Sequence, residues 1–304
     1  MAADLIYALR ELRQEMGGSK PANAELLKDL IARIGDSSYI RKLSDIINRQ
    51  SIINRAAIEI YLDALGLEAL VPITGMLGHL VSREARLTVC DFLAKRGKDY
   101  INIIAGGLYD ERWYVVRNTV LILGRIGGQG VIPHLTGVAR HADQRVRHEV
   151  ILALRANASD RAIEVMFEFL RDPEPDLRRI ALNNLKKAGG ARSFEIVKDI
   201  VHSPDFAAYP LNEQAQFLAV YSYLGGTDAI AFLYSMIQSF SLFGFGRKAR
   251  YRVMALRALA YNSSPEAEDV LLKYTGVRRA WLREAAVSAL GQRRLLFDPE
   301  KVES

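Results

Sequence analysis

The 304-residue sequence predicts an all-α fold, a right-handed α-solenoid (superhelix) of about eight stacked helical pairs. Two periodic signals indicate this fold. An arginine recurs at steps of 30 or 31 residues up to position 178 and returns near the C-terminal end, at Arg55, Arg86, Arg117, Arg147, Arg178, Arg252 and Arg283. A leucine follows each arginine six or seven residues later, at Leu62, Leu93, Leu123, Leu154, Leu185, Leu259 and Leu290. A period near thirty residues is typical of helical repeats that pack only against their neighbours.

Each repeat combines an apolar segment, a polar turn and a second apolar segment that begins just before the arginine. In the fourth repeat Val146, Val150 and Leu154 recur at four-residue steps, which is helical periodicity rather than strand alternation. Residues suited to a turn and to capping the next helix stand between the paired helices, at Asp110, Asp143, Asp172 and Ser203. Residues suited to a left-handed helix end follow the second helix, at Gly66, Gly97, Gly127, Asn157, Gly189 and Asn262.

The repeat boundaries predict three segments. Residues 1–38 are expected to form N-terminal capping helices, residues 39–297 the repeat solenoid, and residues 298–304 a C-terminal tail. The repeats themselves divide near 39–68, 69–99, 100–130, 131–160, 161–192, 193–228, 229–266 and 267–297. The chain begins with an amphipathic helical pattern rather than a signal peptide, because acidic residues fall within it and no cleavage-site pattern follows.

Composition favours a soluble, folded protein, since half the residues are apolar and a quarter are charged. The longest apolar stretches are interrupted within about ten residues, whereas a helix that spans a bilayer needs about 20. The single cysteine, Cys90, excludes an intrachain disulfide and stands at an apolar position of a second helix. We therefore expect a buried structural thiol and a reducing compartment, most simply the cytoplasm.

Two stretches, GLYDERWYVVRNTVLILGRIGGQGVIPHL and LRDPEPDLRRIALNNLKKAGG, resemble HEAT repeats of the type named after phycobilisome lyases. The resemblance extends over 39–297 and implies a HEAT-like solenoid. It also implies a structural ladder in which the turn Asp and the repeat Arg tie each repeat to its neighbour. The ladder residues by this match are Arg55, Arg86, Arg117, Arg147, Arg178, Arg252, Arg283, Asp110, Asp143 and Asp172. A row of phosphate-binding arginines is the competing interpretation.

The repeat pattern breaks in the sixth and seventh repeats. The sixth has no arginine, and Asn212, Glu213 and Gln214 occupy that region. In the seventh, about nine extra residues separate the helices, and insertions of this kind form loops on one edge of a solenoid, often the binding edge. The predicted partner-binding loop carries aromatic residues followed by cations, namely Phe240, Phe243, Phe245, Arg247, Lys248 and Arg250. The competing interpretation is that the phenylalanines pack onto the last repeats and the cations are solvated.

No arrangement of residues in the sequence indicates catalysis, and we expect no metal and no cofactor. The pair His148–Glu149 resembles those with which deoxyhypusine hydroxylases, which are HEAT-repeat enzymes, bind two irons. Such a site needs ligands from more than one helix, and the equivalent positions hold Leu87-Thr88, Asn118-Thr119, Arg179-Ile180 and Glu284-Ala285. The segment GRIGGQG follows a helix rather than a strand, so it lacks the context of a phosphate-binding loop.

These observations predict a non-catalytic scaffold or adaptor that presents an extended surface to another protein or peptide. The alternative is a protein that binds the nucleic-acid backbone, as the HEAT-like DNA glycosylases do. The net charge of +6 bears on that alternative, because residues from 240 onward hold 12 Lys and Arg against 7 Asp and Glu, whereas the first 239 hold 29 against 28. An enzyme similar to the chromophore lyases is a third possibility that rests on the repeat type alone.

Overall fold

The computed structural model describes residues 21–155, 159–239 and 245–297, apart from the side chains of 21–24, 26–27, 245, 247 and 248. Backbone contacts divide the chain into two compact units, Met1–Val165 and Met166–Ser304. The predicted helix over the first residues and the predicted tail at 298–304 lie outside the described residues.

The first unit consists of short helices joined by turns and 3₁₀ segments. Its helices are α1 (Pro21–Ile34), α2 (Ser37–Asn48), α3 (Arg55–Ala64), α4 (Leu70–Met76), α5 (Arg83–Arg96), α6 (Ile101–Ala105), α7 (Trp113–Ile126), α8 (Ile132–Gly137) and α9 (Gln144–Arg155). The first helices of successive pairs pack on one another, α2 on α4 and α4 on α6. The second helices do the same, α3 on α5, α5 on α7 and α7 on α9. This is the packing of stacked helical hairpins.

The second unit repeats the arrangement with longer helices. Its helices are α11 (Pro175–Ala188), α12 (Gly190–Val201), α13 (Leu211–Gln238), α14 (Phe245–Leu259), α15 (Pro265–Thr275) and α16 (Ala280–Phe297), while α10 (Asp160–Phe169) spans the unit boundary. Helix α13 is two helices joined at Gly226, whose φ of 47° only glycine adopts readily. Its first part ends the sixth repeat and its second part opens the seventh.

The predicted all-α fold of stacked helical pairs is confirmed, since the described residues contain helices and turns and no strand. The helix order reproduces eight pairs over those residues, with α2 and α3 as the first and α15 and α16 as the last. The repeat leucines Leu62, Leu93, Leu123, Leu154, Leu185, Leu259 and Leu290 are all buried. Each contributes about 2 kcal/mol of apolar burial. The step of six or seven residues from arginine to leucine therefore marks the core face of the second helix in every repeat that has the arginine.

The predicted left-handed helix ends are only partly correct. Gly127 and Gly189 have φ values of 67° and 65° and close α7 and α11 as expected. Gly66 and Gly97 do not have positive φ. Among the described residues only glycines have positive φ, so Asn262 is not left-handed either. At Gly97 the reason for glycine is space, because a Cβ there would collide with the side chain of Ile104. Asn157 lies outside the described residues.

Two further expectations concern the burial of Cys90 and membrane-spanning helices. Cys90 is buried, as its apolar position predicts. Among the helices that the structure describes, none combines the length and the apolar character that crossing a bilayer demands.

Candidate functional site

The turn between the two helices of a repeat is built around an aspartate. In three successive turns the Asp carboxylate accepts a hydrogen bond of 2.9 Å from the backbone N–H two residues later, at Asp110 with Arg112, Asp143 with Arg145 and Asp172 with Glu174. An aspartate side chain that bonds the backbone two residues on forms an Asx turn. The aspartates therefore fix the turn and lead the chain into the second helix.

Two of these turns carry a second, ionic contact. Arg112 and Arg145 each fold back and donate two hydrogen bonds to Asp110 and Asp143, with distances of 2.7–3.0 Å. The guanidinium group holds the pKa of the Asp143 carboxyl down to about 2, and that of Asp110 is lowered for the same reason. Arg145 also lies over the ring of Trp113 in the preceding repeat, with its Cζ 3.4 Å from the ring centroid. The turn at Asp143 thus contacts the start of α7 in the preceding repeat.

The repeat arginines bind the carbonyl groups of their own turn. The Nη1 atoms of Arg86, Arg147 and Arg178 each donate to the carbonyl oxygens six and five residues before the arginine. These carbonyls belong to the turn that follows the first helix, where helical partners are missing. We call this pair of contacts the carbonyl clasp; it ties the first helix of a repeat to the second.

Repeat arginines also bind a glutamate of the following repeat. The pairs are Arg55 with Glu84, Arg117 with Glu149 and Arg178 with Glu213, at 2.9, 3.2 and 2.6 Å. Two pairs run in the opposite sense, from Arg125 back to Asp91 at 2.6 Å and from Arg96 back to Asp63 at 4.0 Å. These ion pairs join α3 to α5, α5 to α7, α7 to α9 and α11 to α13.

In the sixth repeat a glutamine replaces the arginine. Gln214 is buried, and its Nε2 donates to the carbonyls of Ala207 and Tyr209 at 3.3 and 2.6 Å. Its neighbour Glu213 receives Arg178 of the fifth repeat. The sixth repeat thus keeps both contacts. The side-chain amide of Gln214 forms the carbonyl clasp, and Glu213 accepts from the arginine of the preceding repeat.

The seventh and eighth repeats break the arrangement. Arg252 makes no hydrogen bond or ion pair with any described residue, and its Nε is buried without an acceptor there. The carbonyl clasp cannot form at Arg252, because the residues six and five positions before it already belong to α14. These residues are Gly246 and Arg247. The guanidinium lies over Trp281, 5.5 Å from the ring centroid. Burial and the nearby Arg279 lower the pKa of Arg252. Arg283 is exposed on α16.

The model of HEAT repeats matches the sequence at residues 76–155 and 137–208. The segment 76–208 therefore contains HEAT repeats. No curated protein matches the sequence significantly. Solved structures that resemble the chain include human deoxyhypusine hydroxylase in complex with glycerol, with 16% identity over 86% of this chain and 99% of that one. They also include two engineered proteins at 15% identity, which cover 94% and 85% of this chain and 98% and 97% of their own. All three have a TM-score of 0.32, which is too low to carry an argument about this chain.

In the seventh repeat, part of the predicted partner-binding loop is helical. Helix α14 begins at Phe245, so Phe245, Arg247, Lys248 and Arg250 belong to the helix and not to a loop. The physical reason is that the run from Arg247 to Arg252 consists mostly of residues with high helix propensity. Phe240 and Phe243 lie outside the described residues, as do the side chains of Phe245, Arg247 and Lys248. Arg250 is exposed.

The histidines show no metal-site geometry in the described part of the chain, where no group of three His, Cys, Asp or Glu residues could hold an ion. Glu149 of the pair His148–Glu149 accepts a hydrogen bond from Arg117. Sequence reasoning missed the glutamates that receive the repeat arginines. Their positions relative to the next repeat arginine vary, so periodicity alone did not reveal them. For Glu213 and Gln214, the missing arginine of the sixth repeat was the available signal.

Proposed function

We propose that this protein is a non-catalytic scaffold or adaptor whose HEAT repeats present an extended surface to another protein. The observation that carries the proposal is a row of apolar side chains on the turns of three successive repeats. Ile52, Val81 and Tyr109 are 82%, 78% and 89% exposed. We call these three residues the turn row.

Neighbouring turns of this row touch one another. The side chain of Asn48 donates to the carbonyl of His79 and accepts from the N–H of Val81, at 2.8 and 2.9 Å. On the other side of Val81, the guanidinium of Arg112 packs against Gly78, where no Cβ intervenes. The turn row is therefore one edge of the first unit rather than three scattered residues. Contiguous exposed apolar side chains mark protein-binding surfaces more often than isolated ones do.

Charge on the second helices also favours a protein partner over nucleic acid. A protein that binds the phosphate backbone needs lysines and arginines that are available to phosphates. In the first unit Arg55, Arg96, Arg117 and Arg125 are engaged with carboxylates of adjacent helices. These arginines stabilise the packing of neighbouring repeats, and the surface that remains carries both positive and negative charges. We place such a scaffold in the cytoplasm, in keeping with a buried, unpaired thiol.

The test is capture of partners from nuclease-treated source lysate. The double variant Val81→Ser/Tyr109→Ser removes two members of the turn row. Val71→Ser is the matched control, because Val71 is 63% exposed but lies on α4 away from the turns. We expect the unmodified chain and Val71→Ser to retain the same proteins, and the double variant to lose them. Equal retention by all three would show that the turn row is not the binding surface.

Nucleic-acid binding is the second candidate, and the surplus of cations from residue 240 onward is the feature that favours it. Binding to phosphates falls with salt, by a slope of about −0.9 per neutralised phosphate on a logarithmic plot. Capture of nucleic acid without nuclease, combined with such a slope and with no retained protein, would favour this candidate over the scaffold.

A further inference from the structure

The second unit contains two repeat arginines beside an aromatic ring, and only one of them has a carboxylate. Arg178 lies 6.0 Å from the ring centroid of Tyr209 and donates to both carboxylate oxygens of Glu213, at 2.6 and 2.7 Å. This two-point contact is the geometry in which a planar guanidinium binds a carboxylate most strongly. Arg178 is thus a carboxylate-binding site that the chain fills itself.

Arg252 has the same kind of surroundings without the carboxylate. Its Cζ lies 5.5 Å from the ring centroid of Trp281, as Arg178 lies against Tyr209. Its Nε is buried, yet no acceptor among the described residues bonds to it. Because this Nε is closed to solvent, a ligand from outside the chain would bind the Nη groups of Arg252 and not the Nε.

The electrostatic environment of the two arginines differs accordingly. Glu213 raises the pKa of Arg178, whereas burial and then Arg279 lower the pKa of Arg252. Arg279 stands at the start of α16, next to the exposed Arg278, and Arg283 is exposed one turn further on. The positive charge around Arg252 is therefore not neutralised by the residues that the structure describes near it.

We propose that Arg252, together with Arg279 and the ring of Trp281, binds a carboxylate of a partner protein, in an Asp- or Glu-rich segment. The inference rests on the proposed scaffold function and names the chemistry of its partner. In this arrangement the partner carboxylate accepts from the two Nη groups of Arg252, whereas Glu213 accepts from Nε and Nη2 of Arg178. Trp281 holds the guanidinium plane, and Arg279 adds a second cation for the neighbouring acidic residue.

A peptide fits this site better than nucleic acid does. The site is one guanidinium that lies over an aromatic ring, and its two Nη groups suit a bidentate acceptor. Phosphate-backbone binding instead depends on several cations that follow the strand, each adding to the salt dependence. Exposed apolar side chains on α15 and α16, Leu272 and Val287, lie in the same repeat and offer further contact for a peptide.

The experiment measures fluorescence anisotropy of labelled probes with the full chain at physiological salt. The probes are an oligoglutamate peptide, an oligoglutamine peptide of equal length and an oligothymidylate of equal charge. The variants are Arg252→Gln, Arg279→Gln and, as the control, Arg257→Gln, which removes an exposed charge from the same helix. Thermal unfolding checks that each variant folds. If Arg252→Gln does not fold, Arg279→Gln still tests the proposal, because Arg279 is exposed.

We expect oligoglutamate to bind the unmodified chain and Arg257→Gln equally. Arg252→Gln should weaken binding about tenfold or more, the effect of losing a charge-assisted hydrogen-bond pair, and Arg279→Gln less. Three results would overturn the proposal. Equal weakening by all three variants would mean a diffuse charge effect, and tighter binding of oligothymidylate would mean a nucleic-acid site. The third is failure of oligoglutamate to bind. If Arg252→Gln still captures the proteins that the unmodified chain captures from lysate, this site is wrong while the scaffold function stands.

Discussion

Arg178 and Glu213, 35 residues apart, are joined by two hydrogen bonds and are only 12% and 9% exposed at their side chains. The same guanidinium donates to the carbonyls of Asp172 and Pro173 in its own turn. One side chain thus connects the two helices of the fifth repeat to each other and to the sixth. The corresponding pair in the first unit, Arg55 and Glu84, is 55% and 49% exposed. This difference in burial predicts different contributions to stability.

Replacing Arg178 with Ala should therefore lower the free energy of unfolding by about 3 kcal/mol, because Glu213 and two carbonyls lose their partner inside the protein. Arg55→Ala should cost less than about 1 kcal/mol, since water screens an exposed pair. Urea unfolding of the two variants and the unmodified chain measures both values. Equal losses would show that burial does not set the strength of these pairs.

The clasp of the sixth repeat depends on the two amide hydrogens of Gln214, which is 1% exposed. Gln214→Glu keeps the shape but replaces the donor with an acceptor that faces two carbonyl oxygens. We expect a loss of at least about 2 kcal/mol at neutral pH. Thermal unfolding monitored by circular dichroism tests this, with Gln216→Glu as the control on an exposed face of the same helix. A normal unfolding temperature for Gln214→Glu would contradict the clasp.

The depressed pKa of Asp143 predicts a dependence of stability on pH. Because its pKa falls from an ordinary 3.8 to about 2 in the folded chain, the Asp143 contribution is present above about pH 4 and is lost as the pH falls towards 2. Asp143→Asn should thus destabilise the chain at pH 6 by more than it does near pH 2. Urea unfolding at several pH values measures the difference. In an Arg145→Ala background, which removes the largest cause of the shift but keeps the backbone N–H at residue 145, the difference should become smaller.

Cys90 is predicted to be chemically inert in the folded chain. It is buried, and desolvation raises the pKa of its thiol to about 12, so almost no thiolate forms at neutral pH. A thiol reagent such as dithionitrobenzoate should react slowly at pH 8 and at once after unfolding in urea. Rapid reaction of the native chain would show that the α5 region opens readily.

Gly97 and Gly291 are predicted to respond in opposite directions to alanine. Gly97→Ala would force a Cβ into the side chain of Ile104 and should cost about 1–3 kcal/mol. Gly291 lies inside α16 with nothing near its Cβ position, so Gly291→Ala should stabilise the chain by up to about 1 kcal/mol. Thermal unfolding measures both; destabilisation by Gly291→Ala would indicate a contact on that face of α16.

The sequence predicted the repeat fold because its main determinant is periodic. A leucine follows the repeat arginine by six or seven residues in every repeat that has the arginine, and each of those leucines is buried. The Asp positions of the turns were predicted for the same reason, since an Asx turn involves only residues two apart. Contacts between repeats are less predictable. Glu84, Glu149 and Glu213 all receive a repeat arginine, yet they lie 29, 32 and 35 residues from it.

By itself the sequence determined the helical pairs, their order and their buried face, because these depend on local spacing and on the apolar period. The tertiary structure alone decided which arginines are satisfied. Arg178 and Arg252 occupy the same position in the repeat, but Glu213 reaches only the first, and α14 begins too early to leave a turn carbonyl for the second. The partner of a charged side chain depends on where neighbouring helices begin and end, and the period of the sequence does not contain that information.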